Sequence, residues 1–495
     1  MTHYDIAILG AGFSGLGMAV QLRRNGIEDF VVLERATEVG GTWRDNTYPG
    51  AACDVRTDLY SFSFAPNPDW TRSYGTQPEI LKYLKDTARD EGLYPHIRFS
   101  TELTGASWDD AASLWRITTS TPDRSDDDLT ARVLISGHGP LIEPVWPDIA
   151  GLDTFTGTRF HSARWNHDAD LTGKRIAVIG TGASAIQFVP ELAKVAGQLS
   201  VFQRTPAWLL PRDDRPTSER RRRLFRRFPL LQRGSRRRIF ESAELRFGAF
   251  RIKPVGRAAE ALSRRFMKSQ IADPELRDKL TPDYRIGCKR ILISSSFYPA
   301  FAKPHVSLET SPITSVEGDE IVTADGRRLA FDVLIVGTGF NATQPPVARL
   351  ITGRDSVQLS ANWTPHMHAL RGTSVAGFPN FFLLVGPNTA LGHNSIVYII
   401  EAQLDYVLQA LRAAKGGVIE PRRDAQDAYN AEVQSDLSNS VWVSGGCRSY
   451  YLDATGRNTT LWPHLAAGFR RAVRRLDPNE YVITQARSPH PTAEI

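Results

Sequence analysis

A strand–glycine turn–helix–strand unit occurs twice in this chain, and its two copies end in opposite charges. In the first, YDIAILGAGFSGLGMAVQLRRNG is followed by the strand FVVLE at 30–34, which ends on Glu34. In the second, GKRIAVIGTGASAIQFVPELAKVAGQLSVFQRT at 173–205 repeats the plan and closes with Arg204. Parallel neighbours need a crossover helix, so each copy demands a parallel sheet with a helix on its face. The expected fold is α/β, with two Rossmann-like dinucleotide-binding domains.

Gly10, Gly12 and Gly15 follow a strand and open a helix, which lets backbone amides at the helix N-terminus face a pyrophosphate. A lone G-x-G-x-x-G is a weak signal. Glu34 strengthens it, because it lies 19 residues beyond Gly15, where a carboxylate accepts hydrogen bonds from a ribose 2′-hydroxyl. Gly180, Gly182 and Ala185 form the G-x-G-x-x-A variant, and Arg204 also sits 19 residues beyond its third position. A carboxylate there would repel a 2′-phosphate, whereas a guanidinium pairs with it bidentately. The first unit is therefore expected to hold FAD and the second NADPH, with Thr205 adding a hydroxyl contact.

At 495 residues the chain has room for more than these two units. Strand patterns return with DVLIVGTGF at 332–340 and FFLLVG at 381–386, and a helix pattern covers 395–414. The expected division is an FAD-binding domain from 1–140 and 344–495, an NADP-binding domain from 141–211 and 285–343, and a helical insertion at 212–284. Inside the insertion, PRDDRPTSERRRRLFRRFPLLQRGSRRRIF at 211–240 concentrates the arginines. Such a cluster suits a nucleic acid or an anionic membrane, but no nucleic-acid module accompanies it. The favoured expectation is a solvated helical face, with Leu224, Phe225, Phe228 and Leu231 turned inward. Cys53, Cys288 and Cys447 are odd in number and far apart, so neither a disulfide framework nor a CxxC motif is expected, and a cytoplasmic enzyme fits best. The start shows no signal peptide and no apolar run reaches the length of a membrane span. No metal ligands stand at a zinc spacing; His167 with Asp168 is too weak a pattern.

A chain with FAD and NADPH sites is an oxidoreductase, and without a redox cysteine pair it is not a disulfide reductase. FTGTRFHSARW at 155–165 matches F-x-G-x-x-x-H-x-x-x-W through Phe155, Gly157, His161 and Trp165. In this the chain resembles the type I Baeyer–Villiger monooxygenases. Four further segments resemble that family's signatures in the same order: GGTWRDNTYPGAACD at 40–54, CKRILISSSFYPAF at 288–301, GTGF at 337–340 and YYLDATGRNTTLWP at 450–463. Asn166 departs from the Pro or Asp usual after the tryptophan, and SGHG at 136–139 replaces a common ATG. Both bear on local hinge geometry.

The resemblance implies an NADPH- and O2-dependent reaction, through a C4a-peroxyflavin, that inserts one oxygen atom beside a ketone carbonyl to give an ester or lactone. It implies that Arg290, from the Lys-Arg segment, stabilises the anionic species, that Asp54 orients it, and that Lys289 joins Arg204 and Thr205 at the 2′-phosphate. Gly41, Thr42 and Trp43 fall in the flavin-side signature, and His161 is implied to be structural, coupling movement of the NADP domain to catalysis. Two alternatives stay open: an N- or S-oxygenating flavin monooxygenase, separated only through Trp165 and Arg290, and a flavoprotein that binds a partner through its arginine segment. Phe297, Trp208 and Trp442 either face the substrate or pack, and GPNTALGHNS at 386–395 either aims amides at the flavin or is an ordinary strand-to-helix loop.

Overall fold

The computed structural model describes residues 2–485; the last ten residues of the expected FAD-side segment, 486–495, lie outside the described residues. The first unit forms as expected. Strand Thr2–Leu9 lies between Phe30–Leu33 and Arg124–Ser136, parallel to both, and Phe381–Leu383 adds in parallel to the far end of Arg124–Ser136. This sheet is mixed rather than wholly parallel, because Glu102–Asp109, Leu114–Thr121 and Arg124–Ser136 form an antiparallel meander. The second sheet is parallel throughout, in the order Val306–Glu309, Gln198–Phe202, Arg175–Ile179, Val333–Val336, Thr158–His161.

The two units repeat down to single hydrogen bonds. The Gly10 amide donates to Leu33 carbonyl at 2.8 Å, and the Gly180 amide to Phe202 carbonyl at 2.9 Å. Gly137 then donates to Leu9 at 2.9 Å, as Gly337 does to Ile179 at 2.8 Å. Gly10 and Gly180 turn the chain at φ +88° and +110°, a region L side chains seldom enter. Gly15 answers a different need, since a Cβ there would stand 1.8 Å from the Gly10 carbonyl oxygen. Gly15→Val is therefore expected to yield protein without bound flavin, or none that folds, as read from the flavin absorbance of the purified sample.

The first sheet is covered by helix Phe13–Arg24, whose Leu16 and Val20 share a core with Leu404 and Val407 of helix Ile396–Ala414. Among the described residues no helix is long and apolar enough to cross a membrane. The arginine-rich stretch is helical, as expected, with helices at Glu219–Arg227 and Pro229–Arg246. Its apolar face is not as expected. Only Phe225 is buried, while Leu224, Phe228 and Leu231 stand in solvent. The inner side is instead occupied by polar groups, with Gln232 donating to Asn67 carbonyl at 2.6 Å and Arg221 and Ser235 each reaching Asp58 at 2.6 Å.

Candidate active site

Both glycine turns open on one cavity of about 1260 Å³. This is where parallel sheets place ligands, outside the carboxyl ends of the strands. Gly10, Gly12, Glu34, Gly41, Thr42 and Trp43 line one part of it, and Gly180, Gly182, Arg204 and Thr205 another. Gly15 and Ala185 do not line it; they let the first turn of each helix pack behind the glycine loop. Asp54, Lys289 and Arg290 complete the wall, so the structure brings residues from six separated segments to one place.

Arg290 donates from Nε and from a terminal nitrogen to one oxygen of Asp54, at 2.8 and 2.5 Å. That leaves the second carboxylate oxygen unused by the pair. The adjacent Asp54 charge raises the Arg290 guanidinium well above its already high value, against the opposing effect of burial, so it is a permanent cation. Arg290 is positioned by the short parallel pairing of Leu209–Leu210 with Leu292–Ile293, which ties its segment to the chain leaving Arg204. Asp54 is positioned from the second unit. Gln187 accepts from the Tyr48 hydroxyl at 3.0 Å and donates to the Ala52 carbonyl at 2.9 Å, holding the 48–52 turn.

The charges at the ends of the two units sit in unlike surroundings. Glu34 is buried and accepts from the Ala11 amide at 2.8 Å with one oxygen, and from the Ala36 amide and Arg44, both at 2.9 Å, with the other. The first of these oxygens keeps a lone pair for a hydroxyl donor. Arg204 and Lys289 make no ion pair among the described residues. Burial, then the neighbouring Arg204, lowers the Lys289 ammonium below its usual value, with Asp283 opposing. Two cations without an ion pair beside a glycine turn make a donor set that fits a phosphate. The backbone also corrects the register inferred from spacing. The amide of Gln203, not of Arg204, bonds Glu309 as that of Glu34 bonds Arg98, so Gln203 is the positional counterpart of Glu34 and Arg204 lies one residue further on.

Residues 3–232 match the flavin-binding monooxygenase-like family. Over 97% of its length the chain is 50% identical to a Baeyer–Villiger monooxygenase of Streptomyces coelicolor, covering 93% of that protein, and 46% identical to one of Pseudomonas aeruginosa, covering 92%. The chain belongs to the Baeyer–Villiger monooxygenases. Among solved structures it resembles OTEMO in complex with FAD and NADP (TM-score 0.88, 29% identity, 97% of this chain and 99% of that one). It also resembles oxidised steroid monooxygenase bound to NADP (TM-score 0.86, 30% identity, 98% and 100%). This Baeyer–Villiger monooxygenase is a flavoprotein oxidoreductase that works with FAD and NADP.

In this monooxygenase the fingerprint residues are structural neighbours of the site. Trp165 packs edge-on against Phe160 at 5.1 Å and against Phe188 at 5.4 Å. His161 is buried between Trp146 and Phe340, and its Nδ1 accepts from the Ala163 amide at 3.1 Å. Burial, with Arg164 adding to it, lowers its value to about 4, so the imidazole is neutral near pH 7. Because the folded value lies below the unfolded value of about 6.5, the unfolded chain binds the extra proton and stability falls as pH drops from about 6.5 towards 4. His161 alone is expected to remove about 2 kcal/mol between pH 7 and pH 5. Urea unfolding at several pH values should show a shallower slope in His161→Gln, whatever that variant's absolute stability.

Two expectations from the sequence need correction or completion. Cys288 and Cys447 form a disulfide across 159 residues, with Cα atoms 6.1 Å apart, and only Cys53 is free. Distance along the chain said nothing of their proximity, which arises where the turn before Lys289 meets the loop before Arg448. Phe297, Trp208 and Trp442 are buried, and none lines the cavity. The 386–395 loop does reach it, through Ala390, Leu391 and Asn394.

The structure also adds residues to which no motif gave a role. Gln187 is one, carrying no signal beyond its place in a helix. Tyr451 is another, lying in the C-terminal signature without an implied role. It is 2% exposed and lines the cavity, and its hydroxyl, with Tyr450 close by, makes no well-formed hydrogen bond among the described residues. Burial foremost, and the close Tyr450, raise that hydroxyl well above the ordinary value, so it remains a donor. It lies near enough to Arg290 and Asp54 for both charges to act on it.

Proposed function

We propose that this enzyme converts ketones to esters or lactones with NADPH and dioxygen, and that Arg290 and Asp54 are its catalytic pair. What carries the assignment is the Arg290–Asp54 ion pair, set in the wall of the one cavity on which both glycine turns open. When bound, FAD reduced by NADPH supplies the activated oxygen. The chain's own contributions are binding, orientation and fixed charge. Gly10, Gly12 and Gly15 let the first turn approach the FAD pyrophosphate, Glu34 accepts from its ribose, and Gly41, Thr42 and Trp43 lie along the same wall. Gly180, Gly182 and Ala185 serve NADPH in the same way, with Arg204, Thr205 and Lys289 at its 2′-phosphate.

The division proposed is an FAD domain at 1–140 and 344–495, an NADP domain at 141–211 and 285–343, and an insertion at 212–284. A cytoplasmic location suits the demand for NADPH. In the site, Arg290 presents a preorganised cation where negative charge develops on the carbonyl oxygen, in surroundings that strengthen it relative to water. Asp54 holds that cation in one orientation through a single oxygen. Tyr451 offers a second, neutral donor from the buried side of the same wall.

Incubation of the FAD-loaded enzyme with NADPH, labelled dioxygen and a panel of ketones, sulfides and amines tests the assignment. One labelled oxygen in an ester or lactone is expected. Label confined to sulfoxides or N-oxides would overturn it. Tyr451→Phe is expected to lower ester formation about five- to ten-fold, the loss of one neutral hydrogen bond of about 1 kcal/mol or slightly more. FAD content and the KM for NADPH should not move, and an unchanged rate of ester formation would remove Tyr451 from the site's chemistry.

A further inference from the structure

The arginine-rich hairpin presents an apolar tip that nothing among the described residues covers. Helices Glu219–Arg227 and Pro229–Arg246 meet at an elbow on Phe228. Leu224 (42% exposed), Phe228 (52%), Leu230 (74%) and Leu231 (48%) stand in solvent around it. Four large side chains held this way at one elbow cost free energy in water, and clusters of this kind mark contact surfaces rather than ordinary surface. The hairpin is also firmly seated. Arg236 donates to the carbonyls of Asp58, Leu59 and Ser61, and Arg221 and Ser235 reach Asp58, so the tip is displayed by a fixed support.

The unpaired charges around the tip are of one sign. Arg220, Arg227, Arg233 and Arg238 are exposed and make no ion pair among the described residues. The nearby acids are already engaged: Glu219 by Arg222, Asp69 by Arg226 and Glu241 by Arg237. Helical spacing puts Arg220 and Arg227 on the face of Leu224, and Arg233 on the face of Leu230. Apolar groups at the centre with unpaired arginines around them match the two layers of an anionic bilayer, whose acyl boundary takes the former and whose headgroups take the latter.

We infer that this elbow docks the enzyme on an anionic lipid surface, with Phe228, Leu230 and Leu231 entering the acyl boundary and Arg220, Arg227 and Arg233 meeting headgroup phosphates. A nucleic acid would use the arginines and leave the leucines idle. A symmetric contact with a second copy would set arginine against arginine. Docking here adds to the enzyme's chemistry a place to meet apolar ketones, which partition into lipid.

Co-sedimentation of the full-length FAD-loaded enzyme with vesicles tests the inference, comparing phosphatidylcholine alone with phosphatidylcholine mixed with phosphatidylglycerol. Binding to the mixed vesicles is expected, weakened by salt. Partitioning should fall about ten-fold or more in Leu230→Ser/Leu231→Ser and likewise in Arg227→Gln/Arg233→Gln. These residues lie outside the cavity, so FAD content, melting temperature and NADPH oxidation in both variants should match the parent. Failure to bind mixed vesicles would overturn the inference. So would binding that the leucine pair does not alter, which would mark a general polyanion contact. A dimer that dissolves in the leucine variant while vesicle binding stays absent would overturn it in favour of a second copy.

Discussion

Arg290→Ala is expected to lower ester formation by about 10²- to 10³-fold while NADPH is still consumed. Removing one preorganised donor from a charge-stabilising site costs about 3–4 kcal/mol in the rate. Here the loss is compounded, because Asp54 then faces the cavity unpaired and its negative charge opposes the one that develops on the substrate. Electrons from NADPH should leave as hydrogen peroxide instead of product. Parallel measurement of NADPH loss, peroxide and ester decides the matter. Ester formation within about three-fold of the parent would remove Arg290 from the catalytic role. Arg290→Lys should rescue little, since a lysine in this half-buried place can lose its proton and cannot grip Asp54 through two nitrogens.

Arg204→Ala is expected to raise the KM for NADPH about 10- to 100-fold while leaving that for NADH nearly unchanged. A charge-assisted contact to a phosphate contributes about 1.5–3 kcal/mol, and each 1.4 kcal/mol is ten-fold. Lys289→Ala should act in the same direction. The double variant should lose less than the product of the two single losses, because Arg204 and Lys289 repel one another when no phosphate lies between them. Steady-state kinetics with both nucleotides would show it. Equal losses with NADPH and NADH would mean that Arg204 supports the fold of the turn and does not read the 2′-phosphate.

Much of this was legible in the sequence because it is local. Strand, glycine turn and helix follow one another within about thirty residues, and the need for Gly15 or for positive φ at Gly10 is a property of that short stretch. Even there, legibility had a limit of one residue. Glu34 and Arg204 stand at the same count from the third small residue, yet in space Gln203 takes the place of Glu34, because the span from the glycine turn to the strand end, Gly10 to Leu33 against Gly180 to Phe202, is shorter by a single residue in the second unit. The antiparallel meander at 102–136 also escaped, since its strands alternate with polar residues and carry no glycine fingerprint.

What the sequence determined by itself was the class of fold, the two nucleotide units, the opposite charges that distinguish them, and, through resemblance, the residues of the proposed catalytic pair. Only the tertiary structure decided which distant side chains meet. It joined Arg290 to Asp54, set Gln187 beneath the Tyr48–Ala52 turn, bonded Cys288 to Cys447, and buried the Tyr451 hydroxyl beside the pair. It also turned Leu224, Phe228 and Leu231 outward, where helical periodicity alone placed them inside. Periodicity reports which residues share a face. Which face is buried depends on what the rest of the chain packs against it, and here Asp58 and Asn67 draw the polar side of the hairpin inward.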